Sequence, residues 1–160
     1  MKTNSSLPEQ PSPRVLETAV VPKEILVPVD FSESSVKALR VAAAMAAKEH
    51  AHLTVLNVVG EPPSFRTLDQ PRQEHRQRHE QARRLERLVQ RELDPEIVAH
   101  TMVRSGDPST EIKRTAAQEH ASLIVMSRHA QHGVGRWFHR HTAPQVIDNA
   151  PCPVMIVNEN

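Results

Sequence analysis

The chain has 160 residues, of which 38% are hydrophobic and 24% are charged, and its formal net charge is +1. This composition is typical of one globular domain with a core of its own. A charge so close to zero provides no overall field to attract nucleic acid. The single cysteine, Cys152, excludes an intrachain disulfide and a cysteine-rich metal site. There is no apolar run long enough to span a bilayer and no secretory-type segment at the N-terminus, so we expect a cytoplasmic protein without a membrane partner.

The first 21 residues are rich in proline, serine, glutamate and glutamine. Such a segment cannot bury enough apolar surface to offset the entropy lost on ordering. We therefore predict a flexible tail over residues 1–21 and an α/β domain over residues 22–160.

Short apolar runs alternate with helical patterns along the rest of the chain. The apolar runs predict five strands, at residues 25–29, 53–59, 96–103, 123–126 and 154–157. Helical patterns lie between them: one after Asp30 or Ser32, either of which can cap it; one over roughly 70–93; one from Pro108; and a short one before Pro151. Residues 127–141 are predicted to be a loop. The alternation predicts a doubly wound, open, five-stranded parallel sheet with helices on both faces.

In such sheets, ligands bind beyond the carboxyl ends of the strands, where the strand order changes direction. The loops that matter here are therefore the one after the first strand, at Asp30, and the one after the fourth strand, from Ser127 onward.

Four segments in order resemble motifs of the universal stress protein family: KEILVPVDFSESSVKAL, SGDPSTEI, ASLIVMSRH and APCPVMIV. The resemblance covers about residues 22–158. It implies the strand order 3-2-1-4-5, homodimers paired through the last strand, and a role in survival under stress. In this family that role is often exercised by binding a nucleotide.

ATP-binding members of the family carry G-x2-G-x9-G-[ST] after the fourth strand, where backbone N–H groups close around phosphates. Here the three glycine positions hold Ser127, Ala130 and Arg140, and the hydroxyl position holds His141. A Cβ at each position opposes close approach of the backbone to phosphate. The usual cradle is therefore altered.

Other residues favour a rebuilt nucleotide site. The resemblance places Pro28, Val29, Asp30, Val58 and Met126 where relatives hold adenosine, and Thr142 lies one residue past the hydroxyl position. Side chains of Arg140 and His141 could contact phosphates in place of the glycines. ATP or another adenine nucleotide is therefore a candidate ligand, with Asp30 either accepting a hydrogen bond from it or only capping the helix.

The histidines and arginines allow two further interpretations. His75 and His79 have a metal-chelating spacing, and four more histidines lie in residues 127–141, but neither set has a regular group of ligands, so we predict no metal. The segment 70–93 holds seven arginines and four glutamates. We favour a solvated helix with i,i+4 pairs such as Glu80–Arg84 over a basic surface for nucleic acid or another acidic partner.

The sequence contains no motif that points to catalysis, and Cys152 is predicted to be a buried structural thiol. The leading hypothesis is a homodimeric stress-response module, not an enzyme, that acts through a regulatory protein partner or a weakly bound ligand. The second is a nucleotide-gated module in which Arg140 and His141 replace the glycine cradle. A slow ATPase is the third.

Overall fold

The computed structural model describes residues 22–60, 70–128 and 142–158. Its five strands are β1 (Glu24–Pro28), β2 (His52–Val59), β3 (Ala99–Ser105), β4 (Leu123–Ser127) and β5 (Val154–Val157). Its four helices are α1 (Glu33–Glu49), α2 (Gln70–Glu92), α3 (Pro108–Gln118) and α4 (Thr142–Ile147). Among these residues, no helix is long and apolar enough to cross a membrane.

The strands form one parallel sheet in the order β3-β2-β1-β4-β5, which confirms the predicted fold and strand order. β1 pairs with β2 along its whole length, from Glu24 to Pro28. With β4, it pairs only at Ile25 and Leu26. The chain passes from β1 to β2 on one side and reaches β4 on the other, so the switch point lies between β1 and β4.

Alternate side chains of β1 build a core on each face of the sheet, as the period of two in a strand requires. Ile25, Val27 and Val29 pack with α1 and α2. Leu26 packs on the opposite face with residues of α3 and α4. Burying one such leucine or isoleucine contributes about 1.5–3 kcal/mol. The buried face of α1 is largely alanine, which allows that helix to lie close to the sheet.

The third strand begins and ends later than the sequence predicted. The side chain of Asp94 accepts a hydrogen bond from the N–H of Glu96 at 2.9 Å, and its carbonyl accepts one from the N–H of Ile97 at 3.0 Å. These bonds hold residues 94–97 in a turn, so β3 starts only at Ala99. Asp107 caps α3 as predicted, accepting from the N–H of Thr110 at 2.9 Å. The predicted tail at 1–21 and most of the predicted loop, residues 129–141, lie outside the described residues.

Candidate functional site

The turn after β1 is organised around the carboxylate of Asp30. Its Oδ1 accepts hydrogen bonds from the backbone N–H of Ser32 at 3.0 Å and from the Ser32 hydroxyl at 2.5 Å. The Ser32 Oγ in turn accepts from the N–H of Ser35 at 3.2 Å, which makes Ser32 the N-cap of α1. Of the two residues predicted as possible caps, Ser32 is the cap and Asp30 braces it.

Asp30 keeps one acceptor oxygen for another partner. The residue is 9% exposed, and within the described part of the chain its Oδ2, which solvent reaches, has no hydrogen-bond partner. A carboxylate oxygen at the carboxyl end of a central strand is well suited to accept a hydrogen bond from an amino or hydroxyl group of a ligand.

Phe31 adopts a left-handed backbone conformation, with φ of 64°, immediately after Asp30. This conformation is uncommon for a bulky residue and costs on the order of 1–3 kcal/mol. The Phe31 ring packs against the core beneath α1 and α2. The guanidinium of Arg84, from α2, lies over the ring at 4.0 Å from its centroid. The core on one side and Arg84 on the other therefore stabilise the turn that leads from β1 to the N-cap of α1.

A buried amide fixes the end of β1 itself. Asn57 of β2 is 5% exposed, and its Nδ2 donates to the carbonyl of Val29 at 2.8 Å. The sequence analysis did not identify Asn57 as a site residue. The available signal was a single amide in an otherwise apolar half of β2.

The residues that the resemblance assigned to adenosine divide between the two faces of the sheet. Val58 and Met126 lie in one buried cluster together with Ala143 of α4. Pro28 is buried and, two residues after Leu26, lies on that same face. Val29 packs on the opposite face, under α1 and α2, so it would contribute its backbone rather than its side chain.

The phosphate side of the predicted site is described only in part. Ser127 ends β4 and is half-buried, in register with Val157 of β5. Thr142 is 5% exposed and begins α4, next to Ala143 in the cluster that contains Val58 and Met126. Ala130, Arg140 and His141 lie outside the described residues, so their predicted contacts with phosphate stay predictions.

The remaining chemical candidates have ordinary structural surroundings. Cys152 is half-buried rather than fully buried, and burial raises the pKa of its thiol, which keeps it protonated and unreactive. His75 and His79 contact each other edge to face, with ring centroids 4.3 Å apart. Over the described ranges, no three metal-ligating side chains come together. The prediction of a Glu80–Arg84 ion pair was wrong: in the described part of the chain this pair does not form, and the Arg84 guanidinium lies over the Phe31 ring instead.

These features define the class of the protein. It is a doubly wound α/β domain with a candidate ligand site at the switch point between β1 and β4, formed by a braced aspartate turn and an apolar wall. The model of the universal stress protein family matches residues 22–158, and the chain belongs to this family.

Two curated relatives cover most of the chain. A universal stress protein of Thermus aquaticus is 32% identical over 142 residues, covering 84% of this chain and 98% of the relative. Universal stress protein MJ0531 of Methanocaldococcus jannaschii is 28% identical over 145 residues, covering 86% of this chain and 82% of the relative.

Solved structures have the same fold. The hypothetical protein MJ0577 superposes with a TM-score of 0.72 at 22% identity, covering 86% of this chain and 96% of the other. A universal stress protein from Archaeoglobus fulgidus in complex with dAMP superposes with a TM-score of 0.55 at 26% identity, covering 83% and 95%. A universal stress protein in complex with cAMP superposes with a TM-score of 0.58 at 17% identity, covering 86% and 97%.

Proposed function

We propose that the protein is a non-catalytic, homodimeric stress-response module that binds an adenine nucleotide weakly, chiefly through the adenosine part. The observation that carries this proposal is the Oδ2 of Asp30, an acceptor without a partner among the described residues, at the switch point of the sheet. An adenine amino group or a ribose hydroxyl can donate to it.

The apolar wall supports the same ligand. Pro28, Val58 and Met126 lie on one face of the sheet at the ends of β1, β2 and β4, and all three are buried. Val58 is only 3% and Met126 only 2% exposed, so an adenine base would contact the small exposed parts and the backbone at these strand ends, while the carboxylate of Asp30 provides a specific polar contact. Binding sites commonly combine these two elements.

Two solved family members support an adenosine-centred mode of binding. One was solved with dAMP and another with cAMP, and each of these ligands carries one phosphate. A monophosphate does not need a cradle long enough for three phosphates. The replacement of the family glycines by Ser127, Ala130 and Arg140 therefore weakens the case for ATP more than the case for a monophosphate.

Homodimerisation is proposed from the free edge of β5. This strand ends the sheet, and Met155 on it is 37% exposed. An unprotected apolar edge strand is a template for pairing with a second copy. Light scattering is expected to report a dimer at micromolar concentration, and Met155→Asp is expected to shift it toward monomer. A wild-type monomer would contradict this part of the proposal.

The nucleotide proposal is tested by thermal-shift titration with AMP, dAMP, cAMP and ATP. Ligand at one hundred times its Kd adds about 2.7 kcal/mol to stability, which raises Tm by several degrees. We expect a shift with the monophosphates that is lost in Asp30→Asn. In this variant an amide oxygen can still accept from Ser32, but an NH2 group replaces the free acceptor.

Asp107→Asn is the matched control, because it makes the same chemical change at the cap of α3, which follows the edge strand β3, two places from β1 in the sheet. It should retain the nucleotide shift. If no nucleotide shifts Tm at millimolar concentration, the site does not bind nucleotides, and the module acts through protein partners alone. Turnover of ATP that is lost in Asp30→Asn would instead favour the slow-ATPase hypothesis.

A further inference from the structure

One side of α2 faces solvent and carries several positively charged side chains. Arg76, Arg83 and Arg87 project from it together with His75, His79 and Glu80, and these six side chains line a surface cleft of about 540 Å³. We call this set the basic face. The spacing places it on the side of the helix opposite Leu85 and Leu88, which are buried in the core. The basic face is therefore not used to pack the helix against its own domain.

The arginines of the basic face keep their charge. Within the described residues, Arg76, Arg83 and Arg87 have no carboxylate within ion-pair distance. Glu80 lies four residues after Arg76 and three before Arg83, spacings that allow such pairs, yet it forms neither.

The other arginines of α2 that make contacts are engaged elsewhere. Glu92 at the end of the helix forms ion pairs with Arg91, at an N–O distance of 2.8 Å, and with Arg40 of α1, at 2.7 Å. Arg84 lies over the ring of Phe31. The hydrogen bonds to Arg91 and Arg40 hold the pKa of Glu92 below its usual value, so this carboxylate stays charged and committed to them. The three arginines of the basic face, like Arg72 and Arg78 of the same helix, are thus left for an external anion among the described residues, and a guanidinium group forms bidentate pairs with carboxylates and phosphates.

We propose that the basic face of α2 docks an acidic segment of a partner protein. The distance from Arg76 to Arg87 along the helix is about 16 Å at 1.5 Å per residue, which matches about three turns of a helix carrying Asp and Glu. Glu80, between Arg76 and Arg83, can pair with a lysine of such a partner. This inference does not depend on nucleotide binding.

The same features disfavour nucleic acid as the occupant. Glu80 in the middle of the face would repel a continuous row of phosphates, and α2 contains no Phe, Tyr or Trp on which bases could stack. The net charge of +1 also provides no long-range attraction for a polyanion.

The test uses the full chain and a fluorescein-labelled helical peptide of about three to four turns with glutamates along one side. Fluorescence anisotropy should show saturable binding that weakens between about 50 mM and about 300 mM salt, as screening requires. The triple variant Arg76→Gln, Arg83→Gln and Arg87→Gln should bind about 10-fold more weakly or worse, from the loss of three charge pairs.

The matched control removes three exposed cations from other surfaces: Lys37→Gln, Lys48→Gln and Arg114→Gln. It has the same net charge as the first triple variant and should bind the peptide as the wild type does. Equal weakening in both triple variants, or absence of peptide binding at millimolar concentration, would overturn the proposal. So would tighter binding of a labelled DNA or RNA oligonucleotide of the same charge, because the occupant would then be nucleic acid.

Discussion

The guanidinium of Arg84 lies 4.0 Å from the centroid of the Phe31 ring and joins the middle of α2 to the turn that follows β1. Phe31 is the residue with φ of 64° between Asp30 and the cap of α1. The contact therefore stabilises the one strained residue next to the candidate site. It also makes the position of α2 relevant to the geometry of that site.

Arg84→Met should destabilise the fold by about 0.5–1 kcal/mol, because it keeps most of the apolar stem but removes the cation from the ring. Urea denaturation provides the measurement. Arg83→Met is the control, since Arg83 is exposed and is not the arginine that lies over the ring, and its effect should stay within about 0.5 kcal/mol. Equal effects of the two substitutions would show that the contact contributes nothing to stability.

Asn57→Leu should destabilise the fold by about 1–3 kcal/mol, because it leaves the buried carbonyl of Val29 without its donor while nearly conserving volume. If adenosine binds as proposed, the substitution should also weaken dAMP binding, since Val29 precedes Asp30. Thr101→Leu on β3, a half-buried position whose side chain forms no hydrogen bond with the described residues, is the control. An unchanged free energy of unfolding in Asn57→Leu would mean that the hydrogen bond does not form in solution.

The lowered pKa of Asp107 leads us to predict that this residue contributes to stability in a pH-dependent way. Hydrogen bonds from Thr110 and Ser109 lower the pKa of its carboxyl below the usual value, because they favour the charged form. A lowered folded-state pKa contributes stability that is present above the unfolded pKa of about 3.9 and is lost as pH falls through the folded pKa.

Asp107→Ala should therefore cost about 1 kcal/mol near neutral pH, as loss of an N-cap does, and less at about pH 3. Urea denaturation of both proteins at the two pH values measures the difference. A cost that does not change between them would contradict the assignment of the lowered pKa to Asp107.

The parts of the fold that could be predicted are those controlled by local pattern. Residues 25–29 form an unbroken apolar run because β1 is covered on both faces, and such runs identify central parallel strands. Asp107 and Pro108 identified the start of α3 because capping depends on neighbours in sequence. The family resemblance supplied the strand order, which the apolar runs alone do not contain.

The errors lie where contacts between distant residues decide the structure. Arg84 was expected to pair with Glu80 on its own helix, but the Phe31 ring, far away in sequence, lies within its reach. The role of Asn57 depends on a hydrogen bond to Val29 at the end of the neighbouring strand. Val29 and Val58 do not share a ligand surface, because their side chains lie on opposite faces of the sheet. The misplaced start of β3 is an exception with a local cause, because the turn at Asp94, closed by bonds from Glu96 and Ile97, interrupts the apparent strand pattern.

Binding of adenosine at the switch point is tested most directly by adding dAMP to the ¹⁵N-labelled protein and following the amide resonances. The largest chemical-shift changes are expected around Asp30, Asn57, Met126 and Thr142, and they should be absent in Asp30→Asn. Changes confined to other parts of the chain, or none at millimolar dAMP, would contradict the proposed nucleotide site.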